Sequence, residues 1–123
     1  MKFMLMIWRN PANWDALTPA EQEALGGRAG AEHAAIDADL LRSGELVLSA
    51  ALEDAGTART VRVRDGVVST DGPYAEAKEH LVGYYLVECA SPDRAAEIAA
   101  RIPDARWDRV EIREAVDVAG RGF

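Results

Sequence analysis

The chain has 123 residues, of which 49% are hydrophobic, and its 21 Asp and Glu against 14 Lys and Arg give a formal net charge of -7. This acidic balance disfavours nucleic acid as a partner, because such binding depends on clustered Lys and Arg that neutralise phosphates. No apolar run approaches the ~20 residues of a membrane span. The length is that of one domain, which can bury a core without a metal or disulfide staple.

The single cysteine, Cys89, has no partner within the chain. It closes an apolar strand pattern, where we expect a small buried thiol rather than a reactive one. A chain without disulfides predicts a reducing, cytoplasmic compartment. The apolar run 1–8 is too short for a signal peptide and meets Arg9 at once, so we expect no leader.

A strand and a long helix are predicted for the first third of the chain. The strand is apolar on both faces, with Phe3, Leu5 and Ile7 on one side and Met4, Met6 and Trp8 on the other. Residues 10–17 are predicted as a loop. Thr18 and Glu21 form a capping box that starts a helix running to about Ser43, and Gly44 ends it. Gly26 and Gly27 make a break in this helix plausible, since each costs up to about 1 kcal/mol relative to alanine.

The remaining elements alternate between strands and one further helix. Residues 45–52 read as a strand, and residues 60–64 and 67–70 flank Asp65-Gly66, which predicts a hairpin. Residues 82–89 read as another strand that is apolar on both faces. A second helix starts at Ser91 and stops before Pro103, and residues 107–116 form the last strand. We assign one domain to residues 1–118 and a tail to residues 119–123.

Two helices on one face of a mostly antiparallel sheet predict an α+β, ferredoxin-like subunit with an extra hairpin. The helices cover only one face, although two strands are apolar on both. The uncovered face must be buried, and a second copy of the chain is the simplest partner. We therefore expect a homodimer through one face of the sheet. That face carries residues among Met4, Met6, Trp8, Tyr85 and Val87, or the residues that alternate with them in the same strands.

The stretch 71–88, DGPYAEAKEHLVGYYLVE, joins a tight turn, a short charged helical segment and an apolar strand without a spacer. It resembles the DGPF motif of the YCII-related family, with Tyr74 in place of the usual Phe. The residues 70–79 and Gly83-Tyr84-Tyr85 fill the places of the longer DGPF branch. The likeness extends over nearly the whole chain.

This resemblance implies dimers of ferredoxin-like subunits whose sheets pack into an α+β barrel, with a cleft on each subunit. It also implies a histidine on the first helix, eleven residues ahead of a glycine that precedes a strand, and His33 with Gly44 fits that spacing. DGPF proteins often accompany sigma factors of the extracytoplasmic-function type. The resemblance therefore implies a sigma-factor-type protein as a candidate partner.

His33 lies at the edge of the helix stripe formed by Leu25, Ala29, Ile36 and Leu40. This position suits an imidazole that lines a cleft, where an ordinary pKa near ~6.5 lets it give or take a proton. The alternative is a structural histidine held between helix and strand. Asp71 also has two interpretations. It either caps the turn that it begins, or approaches His33 and orients the ring.

Tyr74, Lys78 and Tyr84 are candidate ligand-binding residues, although an aromatic side chain in such a sheet is more often core or interface. The sequence has no phosphate-binding glycine loop, no paired-cysteine metal spacing and no nucleophile elbow, so we expect no metal and no cofactor.

Two hypotheses follow for the function. One is a small-molecule-binding or regulatory module associated with sigma-factor systems. The other is a cofactor-free enzyme in which His33, with or without Asp71, is the general acid or base on a small organic substrate.

Overall fold

The computed structural model of the chain describes residues 1–72 and 78–122. The strands are β1 (Lys2–Arg9), β2 (Leu46–Ala51), β3 (Thr60–Arg64), β4 (Val67–Asp71), β5 (His80–Glu88) and β6 (Arg109–Ala115). The helices are α1 (Pro11–Asp15), α2 (Pro19–Ser43) and α3 (Pro92–Arg101), with 3₁₀ turns at Ala55–Thr57 and Pro103–Arg106. Four strands form one antiparallel sheet in the order β2-β5-β1-β6, and β3 and β4 form a separate hairpin.

This arrangement confirms the α+β class and is consistent with a ferredoxin-like subunit. One core lies between the sheet and the pair α2 and α3. The helices contribute Ile36, Leu40, Ala95, Ile98 and Ala99 to it. Cys89 is buried beside this core as a free thiol, as expected from the sequence.

The register of the two central strands decides which side chains face the helices. Phe3 pairs with Val87, and Leu5 pairs with Tyr85; all four are buried. The prediction that Tyr85 and Val87 share a face with Met4, Met6 and Trp8 is therefore wrong. Tyr84 and Leu86 lie on that face instead, because Met4 pairs with Leu86 and Met6 pairs with Tyr84. Antiparallel partners project to the same side of a sheet, so this second face carries Met4, Met6, Trp8, Tyr84 and Leu86, and we call it the open face.

The long helix α2 is continuous through its glycines, so the suggested break is absent. The Thr18 Oγ1 accepts from the Glu21 backbone N–H at 3.1 Å, and Glu21 Oε1 accepts from the Thr18 N–H at 3.0 Å. Gly44 ends the helix with a φ of 77°. These caps and the packing of the second half outweigh the glycines, whose cost is only about 1 kcal/mol each.

The predicted loop 10–17 contains a short helix instead, α1. Asn10 caps it, since its Oδ1 accepts from the Ala12 N–H at 3.0 Å, and Pro11 occupies the first turn. The Asn10 N–H in turn donates to Asp108 Oδ2 at 2.7 Å. This bond fixes the end of β1 to the segment before β6.

Two further points concern the later elements. Asp71 is the last residue of β4, paired with Thr60, and the turn that it was expected to begin continues into residues outside the described ones. The last strand begins at Arg109 because the 3₁₀ turn Pro103–Arg106 occupies the preceding residues. Within residues 1–72 and 78–122, no helix has the length and apolar character required to cross a membrane.

Candidate functional site

A cleft of about 280 Å³ opens beside His33, between α2 and the ends of the central strands. Its walls come from four elements and the 3₁₀ turn after α3. They include Ile7 and Arg9 of β1, His33 of α2, Ser49 to Ala51 of β2, Val82 to Tyr85 of β5, and Asp104. Residues far apart in the chain thus meet at one edge of the core.

His33 is hydrogen-bonded to a tyrosine that the central strand β5 carries. Its Nδ1 lies 2.8 Å from Tyr85 Oη, and either atom can donate, depending on the tautomer. The two rings are nearly parallel, at 5°, with centroids 6.1 Å apart. His33 Nε2 makes no hydrogen bond to the described residues, so one ring nitrogen is held and the other is available to a ligand.

The environment of Tyr85 keeps its phenol protonated. Burial raises the pKa of the Tyr85 phenol well above its ordinary value, and the carboxylate of Asp37 raises it further, as a negative charge and as an acceptor. Asp104 contributes a smaller effect of the same sign. Asp37 follows His33 by one helical turn, and its Oδ1 is buried without a hydrogen bond of ordinary geometry to any described residue.

An ion pair between Arg9 and the buried Asp104 lines the cleft. Asp104 is 2% exposed, and its Oδ2 accepts from Arg9 Nε at 2.7 Å. The guanidinium of Arg9 is half-exposed and lies over the ring of Trp107, 5.7 Å from its centroid. Arg9 donates to Asp104 through Nε alone. Its two terminal nitrogens make no hydrogen bond within the described part of the chain.

The strand edge beside the cleft depends on a glycine. A Cβ at Gly83 would lie 3.0 Å from the backbone oxygen of Ala50 and 3.6 Å from the Ala51 Cα. Backbone atoms of β2 cannot move aside as a flexible side chain can. Gly83 therefore permits the close approach of β2 and β5 that forms one wall.

A second, larger recess of about 430 Å³ adjoins this cleft, and we call it the tryptophan groove. Trp14 and Trp107 meet edge to face, with centroids 5.0 Å apart. The first half of α2 supplies Leu25, Gly26 and Ala29 as the opposite wall. Arg9 and Asp104 line both recesses, so the ion pair lies at the junction between them.

The structure places the predicted site residues in different parts of the molecule. His33 lines the cleft, and Tyr84 belongs to the cleft wall as part of β5 although its side chain projects to the open face. Asp71 is exposed at the end of β4 and Lys78 is exposed before β5, and neither is among the described residues of the cleft wall. Tyr74 lies outside the described residues. The His33 ring is thus held by Tyr85, and the nearby carboxylates are those of Asp37 and Asp104.

Four residues of this site were not singled out from the sequence: Arg9, Asp37, Tyr85 and Asp104. Asp37 had a signal, since it lies four residues after His33 on the same side of a helix. Tyr85 could be found only through the strand register. Arg9 and Asp104 are 95 residues apart, and no local pattern joins them.

Comparisons with known proteins identify the family of this chain. The family model of the YCII-related domain matches residues 1–119. An uncharacterized protein of Rhizobium meliloti (strain 1021) is 33% identical over 94 residues, which is 76% of this chain and 76% of that protein. Among the described residues, no three His, Cys, Asp or Glu side chains are grouped so that they could hold a metal ion. The chain belongs to the YCII-related family.

Proposed function

We propose that the protein is a cofactor-free enzyme in which His33 takes a proton from a small organic substrate bound in the cleft. The observation that carries this proposal is the 2.8 Å hydrogen bond between His33 Nδ1 and Tyr85 Oη. It holds the ring through Nδ1, while Nε2 makes no hydrogen bond to the described residues and His33 lines the cleft. A side chain positioned in this way is the usual general base of proton-transfer enzymes.

The neighbours of Tyr85 support one tautomer of His33. The phenol is protonated, and the charge of Asp37 attracts its O–H. When the O–H donates towards Asp37, the phenol oxygen can accept a hydrogen bond from His33 Nδ1–H. The neutral ring then carries its proton on Nδ1 and a lone pair on Nε2, as in sites where a carboxylate orients a histidine.

The proposed reaction forms an imidazolium beside two carboxylates. As Nε2 takes a proton, the electron pair of the broken C–H or O–H bond remains on the substrate. The new positive charge on the ring lies near the carboxylates of Asp37 and Asp104, which are close enough to Tyr85 to raise the pKa of its phenol.

Deuterium exchange into simple carbon acids tests this function. The protein in D₂O is mixed with small enolisable carbonyl compounds, for example acetylacetone and phenylpyruvate, and loss of the C–H signal is followed by NMR. We expect exchange above the buffer rate, reduced about 10² to 10⁴-fold in His33→Gln. The control His80→Gln changes the other histidine and retains exchange. Equal rates in the parent and His33→Gln would contradict the proposal.

We also propose that the chain belongs to the DGPF branch and forms a homodimer through the open face. Met4, Met6, Trp8 and Tyr84 are only partly covered on that face within one chain. Burying such a patch against a second copy removes apolar area from water. Light scattering should give about twice the chain mass of 13.3 kDa, and Met6→Lys should reduce it to one chain mass. A parent that remains monomeric at micromolar concentration would contradict this assembly.

A sigma-factor-type partner and a cytoplasmic location stay predictions from the sequence.

A further inference from the structure

The tryptophan groove is an apolar recess whose lining includes Arg9. The two terminal nitrogens of Arg9 make no hydrogen bond to the described residues. The walls of the groove are the rings of Trp14 and Trp107, the Leu25 side chain and the uncovered backbone at Gly26. Its volume, about 430 Å³, is within the range of small-molecule sites. Arg9 lines this groove and also belongs to the His33 cleft.

We propose that the groove and Arg9 together bind a carboxylate with an aromatic or branched apolar body, and that this class of acid is the substrate presented to His33. As a statement about the substrate, this inference rests on the proposed function. As a statement about binding, it depends only on the groove. The apolar body would lie in the groove against Trp14, Trp107 and Leu25, and the carboxylate would accept from the terminal nitrogens of Arg9.

The geometry of Arg9 supports an anionic head group. Asp104 accepts from Nε alone, so the two terminal nitrogens remain for a second acceptor. A guanidinium presents these nitrogens as a planar fork that matches a carboxylate. The ring of Trp107 beneath the guanidinium and the buried Asp104 hold the fork in place.

The other charged residues of the groove are compatible with an anionic head group on the ligand. The charges of Arg9 and Asp104 balance each other, so the preference for a carboxylate rests on the terminal N–H donors of Arg9, which Asp104 leaves unused. Asp15 lies in the groove wall but is exposed to water, which screens its charge. Arg9 is the only Arg or Lys among the described residues that line the two recesses. An amine offers Arg9 no acceptor for its N–H groups, whereas a carboxylate accepts from them.

Position 26 allows the groove to be blocked without damage to the helix. A Cβ at Gly26 would meet only Trp14 Cη2, at 3.9 Å, whereas a Cβ at Gly27 would meet nothing within 4 Å. Gly27 does not line the groove. Gly26→Leu therefore fills the groove, and Gly27→Leu is the matched control on the same helix, with the same gain in helix propensity.

The test measures binding by calorimetry and by the tryptophan fluorescence of the groove. The probes are 3-phenylpropanoate, 3-phenylpropanol and 3-phenylpropylamine, which share one body and differ in the head group. We expect the acid to bind at least about tenfold more tightly than the alcohol and the amine, because a charge-assisted hydrogen bond commonly contributes that factor. Gly26→Leu should weaken the acid about tenfold or more, and Gly27→Leu should not.

Arg9→Lys tests the head group, since it keeps a cation beside Asp104 and so protects the fold. It should weaken the acid but leave the alcohol unchanged. His33→Gln should still bind the acid. Binding of the acid without deuterium exchange would overturn the proton transfer and leave this site standing. Preferential binding of the amine, equal binding to both leucine variants, or no binding of the acid would overturn the site, whatever the exchange assay shows.

Discussion

The two halves of α2 differ in what they contribute, although they form one continuous helix. The second half buries Ile36 and Leu40 against the sheet, and both side chains are 1% exposed. The first half buries no side chain, and it lines the tryptophan groove with Leu25, Gly26 and Ala29. His33 lies at the boundary between them. Stability and the candidate site are therefore carried by separate turns, and substitutions should be able to change one without the other.

The largest expected effect contrasts truncations in the two halves. Ile36→Ala should lower the free energy of unfolding by about 2–5 kcal/mol, because it leaves a cavity in a closed core. Leu25→Ala should cost about 1 kcal/mol or less, since that side chain is already partly in water. Urea unfolding at one protein concentration measures both. Equal losses would show that the first half is packed as tightly as the second.

Gly83 and Gly27 give the next contrast, between the strand wall of the cleft and the exposed side of α2. Gly83→Ala should cost about 1–3 kcal/mol, since its new Cβ would lie 3.0 Å from the Ala50 backbone oxygen. Gly27→Ala meets no atom within 4 Å and should raise the free energy of unfolding by up to about 1 kcal/mol. Thermal unfolding of the two variants separates them by sign. A Gly83→Ala protein as stable as its parent would mean that β2 and β5 can move apart freely.

Tyr85→Phe should have a smaller effect that depends on pH. At neutral pH it removes the bond to His33, for a loss of about 1 kcal/mol. The pKa of the Tyr85 phenol is raised in the folded state, so its stabilising contribution is complete below the unfolded value near ~10. That contribution is lost as pH rises from there through the folded value.

The parent should consequently lose stability more steeply above pH ~10 than Tyr85→Phe, which has no phenol to ionise at this position. Denaturant midpoints measured from neutral to alkaline pH give the comparison. Tyr84→Phe is the matched control on the same strand. Parallel curves for the parent and Tyr85→Phe would be inconsistent with a phenol that is kept protonated by burial and by Asp37.

The sequence predicted the parts of this molecule that depend on local chemistry. Alternating apolar residues identified β1, and the capping box of Thr18 and Glu21 located the start of α2. The position of His33 at the edge of its helix stripe suggested a cleft-lining side chain, and the structure places it in such a wall. Periodicity and capping depend on residues that are close in the sequence, so they can be recognised without knowledge of the tertiary structure.

The partners of His33 could not be found in this way. Tyr85 is 52 residues from His33, and its choice of face follows from the pairing of β5 with β1. Since both faces of β5 are apolar, the pattern alone could not decide which face carries Tyr85, and the set that grouped it with Met4, Met6 and Trp8 is the wrong one. The ion pair of Arg9 and Asp104 depends on where the turn after α3 meets the end of β1. Such contacts are set by tertiary packing and leave no local signal.

The tautomer of His33 tests the central claim most directly, since the proposed base requires a lone pair on Nε2. Nitrogen-15 NMR of the imidazole rings reports which nitrogen carries the proton, and the chain has only two histidines, so His80→Gln assigns the signals. The account predicts a neutral His33 ring protonated on Nδ1, with that preference reduced in Tyr85→Phe. A His33 ring protonated on Nε2 would contradict it, because Tyr85 would then be the donor and His33 would have no lone pair to offer a substrate.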